Sequence, residues 1–141
     1  MRVYHYGQLN NGALRPLSEM LRSNMYDKPY GPGVLYASRA TGPNSWARFC
    51  RREYGYGIDW PRWRLTIDWK RARILTLAGE ADWADFRDAY GEPGAVNWEA
   101  VARDYDVVHV RDWQSVNAAF RWDCETFIIF NVAIVIEVEQ V

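Results

Sequence analysis

Between Arg62 and Trp69 the chain alternates strictly. Trp63, Leu65, Ile67 and Trp69 fall on one side and Arg62, Arg64, Thr66 and Asp68 on the other, which predicts a half-buried β-strand. Arg2 to Gly7 reads as a shorter strand, stopped by the turn-prone Asn10-Asn11-Gly12. Leu17, Met20, Leu21 and Met25 recur at helical steps and predict a helix. Pro29, Gly31, Pro32 and Gly33 predict a stiff turn, Val34 to Ala37 a strand, and Thr41-Gly42-Pro43-Asn44 the loop that closes it. Asn44 or Ser45 then caps a helix with Trp46, Phe49 and Cys50 on one side, ended by Gly55 and Gly57. Ile74 to Leu77 is a further strand. Trp83, Phe86 and Tyr90 mark an acidic amphipathic helix over Ala81 to Tyr90, and Asn97 caps another over Trp98 to Tyr105. The rest is strand-rich: Val107, Val108 and Val110, then Thr126 to Phe130 and Ile134 to Val138, with a polar segment from Arg111 to Asn117 between them. No repeat or linker interrupts the series, so the expectation is one α+β domain over residues 1–141 with a mixed, mostly antiparallel sheet and short helices.

Composition agrees with a folded domain: 141 residues, 49% hydrophobic and 25% charged, with an aromatic share raised by 8 Trp and 9 Tyr. A net charge of -1 gives no global attraction to nucleic acid or membrane. The charge is nevertheless uneven, roughly +5 from Arg48 to Arg73 and about -6 from Glu80 to Asp106. Two readings are open: a solvated surface with two charged faces, or a basic face that meets an acidic partner or nucleic acid. Cys50 and Cys124 alone predict buried thiols in a reducing compartment, hence a cytoplasmic protein. No signal-like apolar run opens the chain, and no stretch reaches the roughly 18 apolar residues of a membrane helix.

Several chemistries lack their signatures. The glycines fit neither a Rossmann nor a Walker spacing, and His5 and His109 are the only histidines, so no metal site is expected. What stands out is a polar residue within or at the end of several apolar strands. These are His5 in Val3-Tyr4-His5-Tyr6, Tyr36 and Ser38 in the second strand, and Asp123-Cys124-Glu125 ahead of Phe127 to Phe130. A carboxylate at such a point is costly unless paired or facing a cleft. Singly, Glu125 reads as a solvated strand-edge acid and His5 as a hydrogen-bonded core residue. His109, between Val108 and Val110, reads as structural.

Taken in order, the segments Val3-Tyr4-His5-Tyr6-Gly7, Gly33 to Ser38 with Ser45 to Cys50, and Glu125 to Asn131 resemble the ADP-ribosyltransferase superfamily, in its His–Tyr–Glu branch that includes the poly-ADP-ribose polymerases. The chain also looks like small phage and bacterial proteins of that kind. The resemblance implies a split sheet with flanking helices and NAD as substrate. Glu125 would stabilise the ribosyl cation as nicotinamide leaves, as a carboxylate does in glycoside hydrolysis. Asp123 shares its side of an extended strand and is the rival acid. His5 would bond the adenine-side ribose and Tyr36 would pack on nicotinamide, with Ser38 or Ser45 assisting. The polymerases carry a Gly directly after the His; here Tyr6 precedes Gly7, and both are nicotinamide-contact candidates. Trp113 and Gln114 fall where the superfamily carries an acceptor-recognition loop.

The implied activity is mono-ADP-ribosylation of a macromolecule, protein or nucleic acid, by a phage- or toxin-type effector, with no membrane partner. The alternative is a non-catalytic interaction protein on the same fold that inhibits a host defence or regulatory system.

Overall fold

A computed structural model describes residues 1–9, 14, 16–17, 22–23, 28–31, 33–53, 55, 57, 59–111, 122 and 124–141. In chain order the elements are β1 (Arg2–Tyr6), β2 (Arg22–Ser23), β3 (Pro29–Tyr30), β4 (Leu35–Ala37), α1 (Trp46–Arg52), β5 (Arg62–Ile67) and β6 (Ile74–Leu77). There follow α2 (Glu80–Tyr90), β7 (Gly91–Glu92), β8 (Ala95–Val96), α3 (Trp98–Asp104), β9 (Val107–Val110), β10 (Thr126–Ile129) and β11 (Val135–Gln140). The fold is α+β. One sheet has the order β1-β5-β11 and is antiparallel throughout; the other has the order β4-β10-β9-β6, with only β6 and β9 parallel.

Alternation along β9 and β10 sorts two cores. Val107, Phe127 and Ile129 turn toward Val3, Leu65 and Ile67 of the three-stranded sheet. Val108, Val110 and Ile128 turn the other way, onto Trp83, Phe86, Trp98 and Val101 of α2 and α3. Both strands are therefore buried on both faces, which is why their sequence is apolar at nearly every position. The helices begin where the caps predict: Ser45 Oγ accepts from the Arg48 N–H at 3.3 Å and Asn97 Oδ1 from the Ala100 N–H at 3.1 Å.

One contact positions the site. The Tyr4 N–H donates to Ser38 O at 2.7 Å and the Ser38 N–H to Tyr4 O at 2.9 Å, so an edge of each sheet meets at a single bridge. Just before β4, Gly33 sits at φ +90°, where a Cβ would lie 2.7 Å from the Leu17 Cα; only glycine fits so close an approach.

The structure departs from the periodicity in three places. The expected helix over Leu17 to Met25 is absent at its described residues: Leu17 is irregular, and Arg22–Ser23 pairs with Pro29–Tyr30 as a small hairpin. Pro29 and Tyr30 thus belong to a strand, and the turn begins at Gly31. β5 stops at Ile67 because the backbone turns there, with the Trp69 N–H donating to Ile67 O at 3.0 Å and the Ala72 N–H to Asp68 O at 3.1 Å, and Trp69 gives its indole N–H to Met1 O at 2.6 Å. The hairpin β7–β8 was not expected, although Pro93-Gly94, with Gly94 at φ +71°, is a turn signal. Among the described residues no helix is long and apolar enough to cross a membrane.

Candidate functional site

β1 and β4 approach at the Tyr4–Ser38 bridge and then diverge, leaving a cavity of about 560 Å³. Its walls come from six parts of the chain. Tyr4, His5 and Tyr6 come from β1, and Tyr36, Ala37 and Ser38 from β4 and its end. Lys28, Pro29 and Tyr30 come from the small hairpin, and Trp46, Trp60, Trp122, Cys124 and Thr126 complete it. The volume falls within the range of small-molecule sites, and the lining is mostly aromatic with a few polar groups, as such sites are built.

Each polar group has a defined state. His5 Nδ1 lies 2.8 Å from Tyr36 O; a carbonyl only accepts, so Nδ1 carries a proton and donates. The Nε2 of His5 is buried without a hydrogen-bond partner among the described residues. Tyr36 gives its hydroxyl to Pro29 O, and burial raises its pKa well above the ordinary value. Burial also raises the Tyr6 phenol, against the opposing charge of Arg62, so both phenols are neutral at pH 7. The Ser38 hydroxyl accepts from the Trp46 N–H at 2.9 Å and thereby fixes the start of α1. Thr126 Oγ1 donates to Cys124 O at 3.0 Å.

On the other face of the same strand ends lies a closed cluster. Glu125, 9% exposed, receives Arg39 Nε at 2.9 and 3.0 Å on its two oxygens and His109 Nε2 at 2.7 Å on Oε1. A carboxylate paired with guanidinium is an acceptor, so Nε2 of His109 is the protonated nitrogen. The imidazole stacks on Phe127 with centroids 4.1 Å apart and planes 11° apart. Burial lowers the His109 pKa below 6.5, opposed by Glu125 and helped by Arg39 and Arg111, so the ring is neutral at pH 7. The arrangement holds one anion between one permanent cation and one neutral donor.

The sequence-derived residues therefore divide. His5, Tyr6, Tyr36 and Ser38 line the cavity. Gly7 stands beside it, at φ +124°, and its carbonyl accepts from the Trp63 indole at 3.0 Å. Ser45 is buried as the cap of α1, its hydroxyl donating to Gly42 O at 3.0 Å. Glu125 lies between Cys124 and Thr126, which line the cavity, while its own carboxylate turns to Arg39 and His109. Asp123, Trp113 and Gln114 lie outside the described residues. The sequence did not single out Arg39, whose signal was a lone cation directly after Ser38, nor Trp60, nor the joining of Trp46, Trp60 and Trp122 in one wall. Cys50 and Cys124 are both buried, as the sequence reading expects.

No family model matches the chain, and neither a search of curated proteins nor one of solved structures finds a match.

Proposed function

We propose that this protein binds NAD in the aromatic cavity and transfers its ADP-ribose to a macromolecule, with Glu125 as the carboxylate that stabilises the ribosyl cation. One observation carries the reading: His5, Tyr6, Tyr36 and Ser38, from strands far apart in sequence, line a single cavity whose wall continues into the residues on either side of Glu125. NAD supplies a nicotinamide leaving group on an activated ribose. The protein's residues do the rest. The rings of Tyr36 and Trp122, with centroids 6.4 Å apart, receive a planar base, and His5 Nε2 accepts from a ribose hydroxyl. Glu125 exchanges its donors for the nicotinamide ribose as positive charge develops there. The C–N glycosidic bond breaks with its electron pair going to nicotinamide. An acceptor nucleophile bonds to the same carbon and gives up its proton.

The test is nicotinamide release and label transfer from NAD labelled in its adenylate half, in the presence of host lysate. The expected outcome is turnover by the wild type and a loss of roughly a hundred- to thousandfold in Glu125→Gln. Failure to bind NAD by calorimetry would end the reading.

A second reading, a binding protein without catalysis, draws support from the direction of the Glu125 carboxylate, held by Arg39 and His109 rather than open to the cavity. It expects NAD to remain intact and partner binding to be unchanged in Glu125→Gln.

A further inference from the structure

Two aromatic rings at the cavity mouth are exposed to an extent unusual for their size: Tyr30 at 47% and Trp60 at 41%. Trp60 stacks on Trp46, with centroids 6.3 Å apart and planes 28° apart, and Trp46 in turn packs on Phe49 at 5.0 Å. An exposed indole backed by two more rings is a rigid flat platform, and such rings are typical anchors of interaction surfaces.

Cations stand around the same mouth. Lys28 Nζ lies 4.8 Å from the centroid of Trp122, and the Arg62 guanidinium lies 5.7 Å from that of Tyr4. Arg48, Arg51 and Arg52 are exposed on α1, whose first residue, Trp46, lines the cavity; Glu53 and Asp59 are the exposed acids of that stretch. The acidic residues Glu80, Asp82, Asp85 and Asp88 are exposed on α2, which packs against β6, whereas the cavity adjoins β4, at the opposite edge of the four-stranded sheet. The arginines of α1 and the acids of α2 thus lie toward opposite edges of that sheet, while the two charged stretches meet where Arg73 pairs with Asp106.

We propose that the cavity mouth, between Trp60, Tyr30 and this cationic rim, docks a single-stranded nucleic acid. Bases stack on the two exposed rings while phosphates meet Lys28, Arg62 and the arginines of α1. Flat rings beside a positive rim are how unpaired bases and their backbone are held together. An acidic peptide would use the cations and leave the rings idle, and a duplex would keep its bases stacked out of reach. The surface is independent of the NAD reading; if both hold, the strand is the acceptor.

The test is fluorescence anisotropy of 5′-labelled oligo-dT and oligo-rU, with a duplex of equal length and a poly-glutamate peptide as comparisons. Expected are binding of at least one single strand at least tenfold tighter than of duplex or peptide, and quenching of Trp fluorescence. Affinity should fall with salt at a slope of about -0.7 per phosphate contacted. Trp60→Ala should weaken binding about tenfold, and Trp60→Phe should keep most of it. Arg51→Glu with Arg52→Glu, both on the solvent side, should weaken binding and flatten the salt slope. Preference between dT and rU identifies the sugar. Absence of single-strand binding, equal binding of the peptide, or unchanged affinity in both the Trp60→Ala and the double arginine variant would overturn the proposal, whatever the NAD assays give.

Discussion

The cavity and the Glu125 cluster share two strand ends and are built by opposite rules. Ser38 and Thr126 face the cavity, while their chain neighbours Arg39 and Glu125 face the cluster. On the cavity side rings are exposed and His5 Nε2 has no hydrogen-bond partner among the described residues. On the cluster side the carboxylate is capped on both oxygens and covered. The contrast teaches that a binding surface and a charged centre can be adjacent in sequence yet separated by the pleat of one strand. In the proposed reaction, the cavity governs affinity and the cluster governs rate.

The largest test of that division is Glu125→Gln: kcat for NAD should fall a hundred- to thousandfold with KM changed less than threefold. Steady-state kinetics decide it, and a large KM effect with kcat intact would erase the distinction. Next, Glu125→Ala should cost about 2 kcal/mol of stability, because Arg39 and the His109 donor lose their acceptor. Trp60→Ala, at the open mouth, should cost under about 1 kcal/mol; parallel urea titrations compare them. Tyr36→Ala should raise the Kd for NAD about tenfold by calorimetry, while His109→Gln, which keeps a donor toward Glu125, should leave it unchanged.

A fourth test separates the cluster from Asp106, the other buried acid among the described residues, by pH. His109 is charged less readily in the fold than when unfolded, so stability should decline as pH falls below 6.5 toward its lowered value. Asp106, held down to about 2 chiefly by its hydrogen bonds to Arg73, adds a second decline between 3.8 and about 2. NMR titration of the His109 ring should show a midpoint below 6.5, moved lower still in Glu125→Gln because the carboxylate that favours protonation is gone. The smallest expected effect is Tyr36→Phe, about 1 kcal/mol for the hydroxyl bonded to Pro29 O.

What could be read from the sequence followed local rules. Trp83, Phe86 and Tyr90 announced α2 by their spacing, Asn97 announced α3 by its cap, and β5 was visible in strict alternation. The helical spacing of Leu17 to Met25 misled at Arg22–Ser23, where Arg22 lies opposite Tyr30, a pairing no helical window contains. At the site, His5 and Tyr36 were visible as polar interruptions of apolar strands. The partnership of His109 with Glu125 was not, since it depends on β9 lying beside β10 with His109 opposite Phe127. Register between strands separated by a long connection leaves no local mark.

The order β1-β5-β11 has a consequence for the birth of the molecule. β5 pairs first with a strand made well before it and then with one made well after, so its second edge waits unpaired while all of residues 68–134 are synthesised. Non-local pairing of this kind is slow, and a waiting edge is the segment most open to chaperones or to another nascent chain. His5 reaches its place beside β4 through β1, and β1 is braced by that same sheet. The pocket is thus a late product of folding: production on crowded ribosomes, or at a temperature that hastens aggregation, should lower the fraction of chains that bind ligand before it lowers the secondary structure of the soluble fraction.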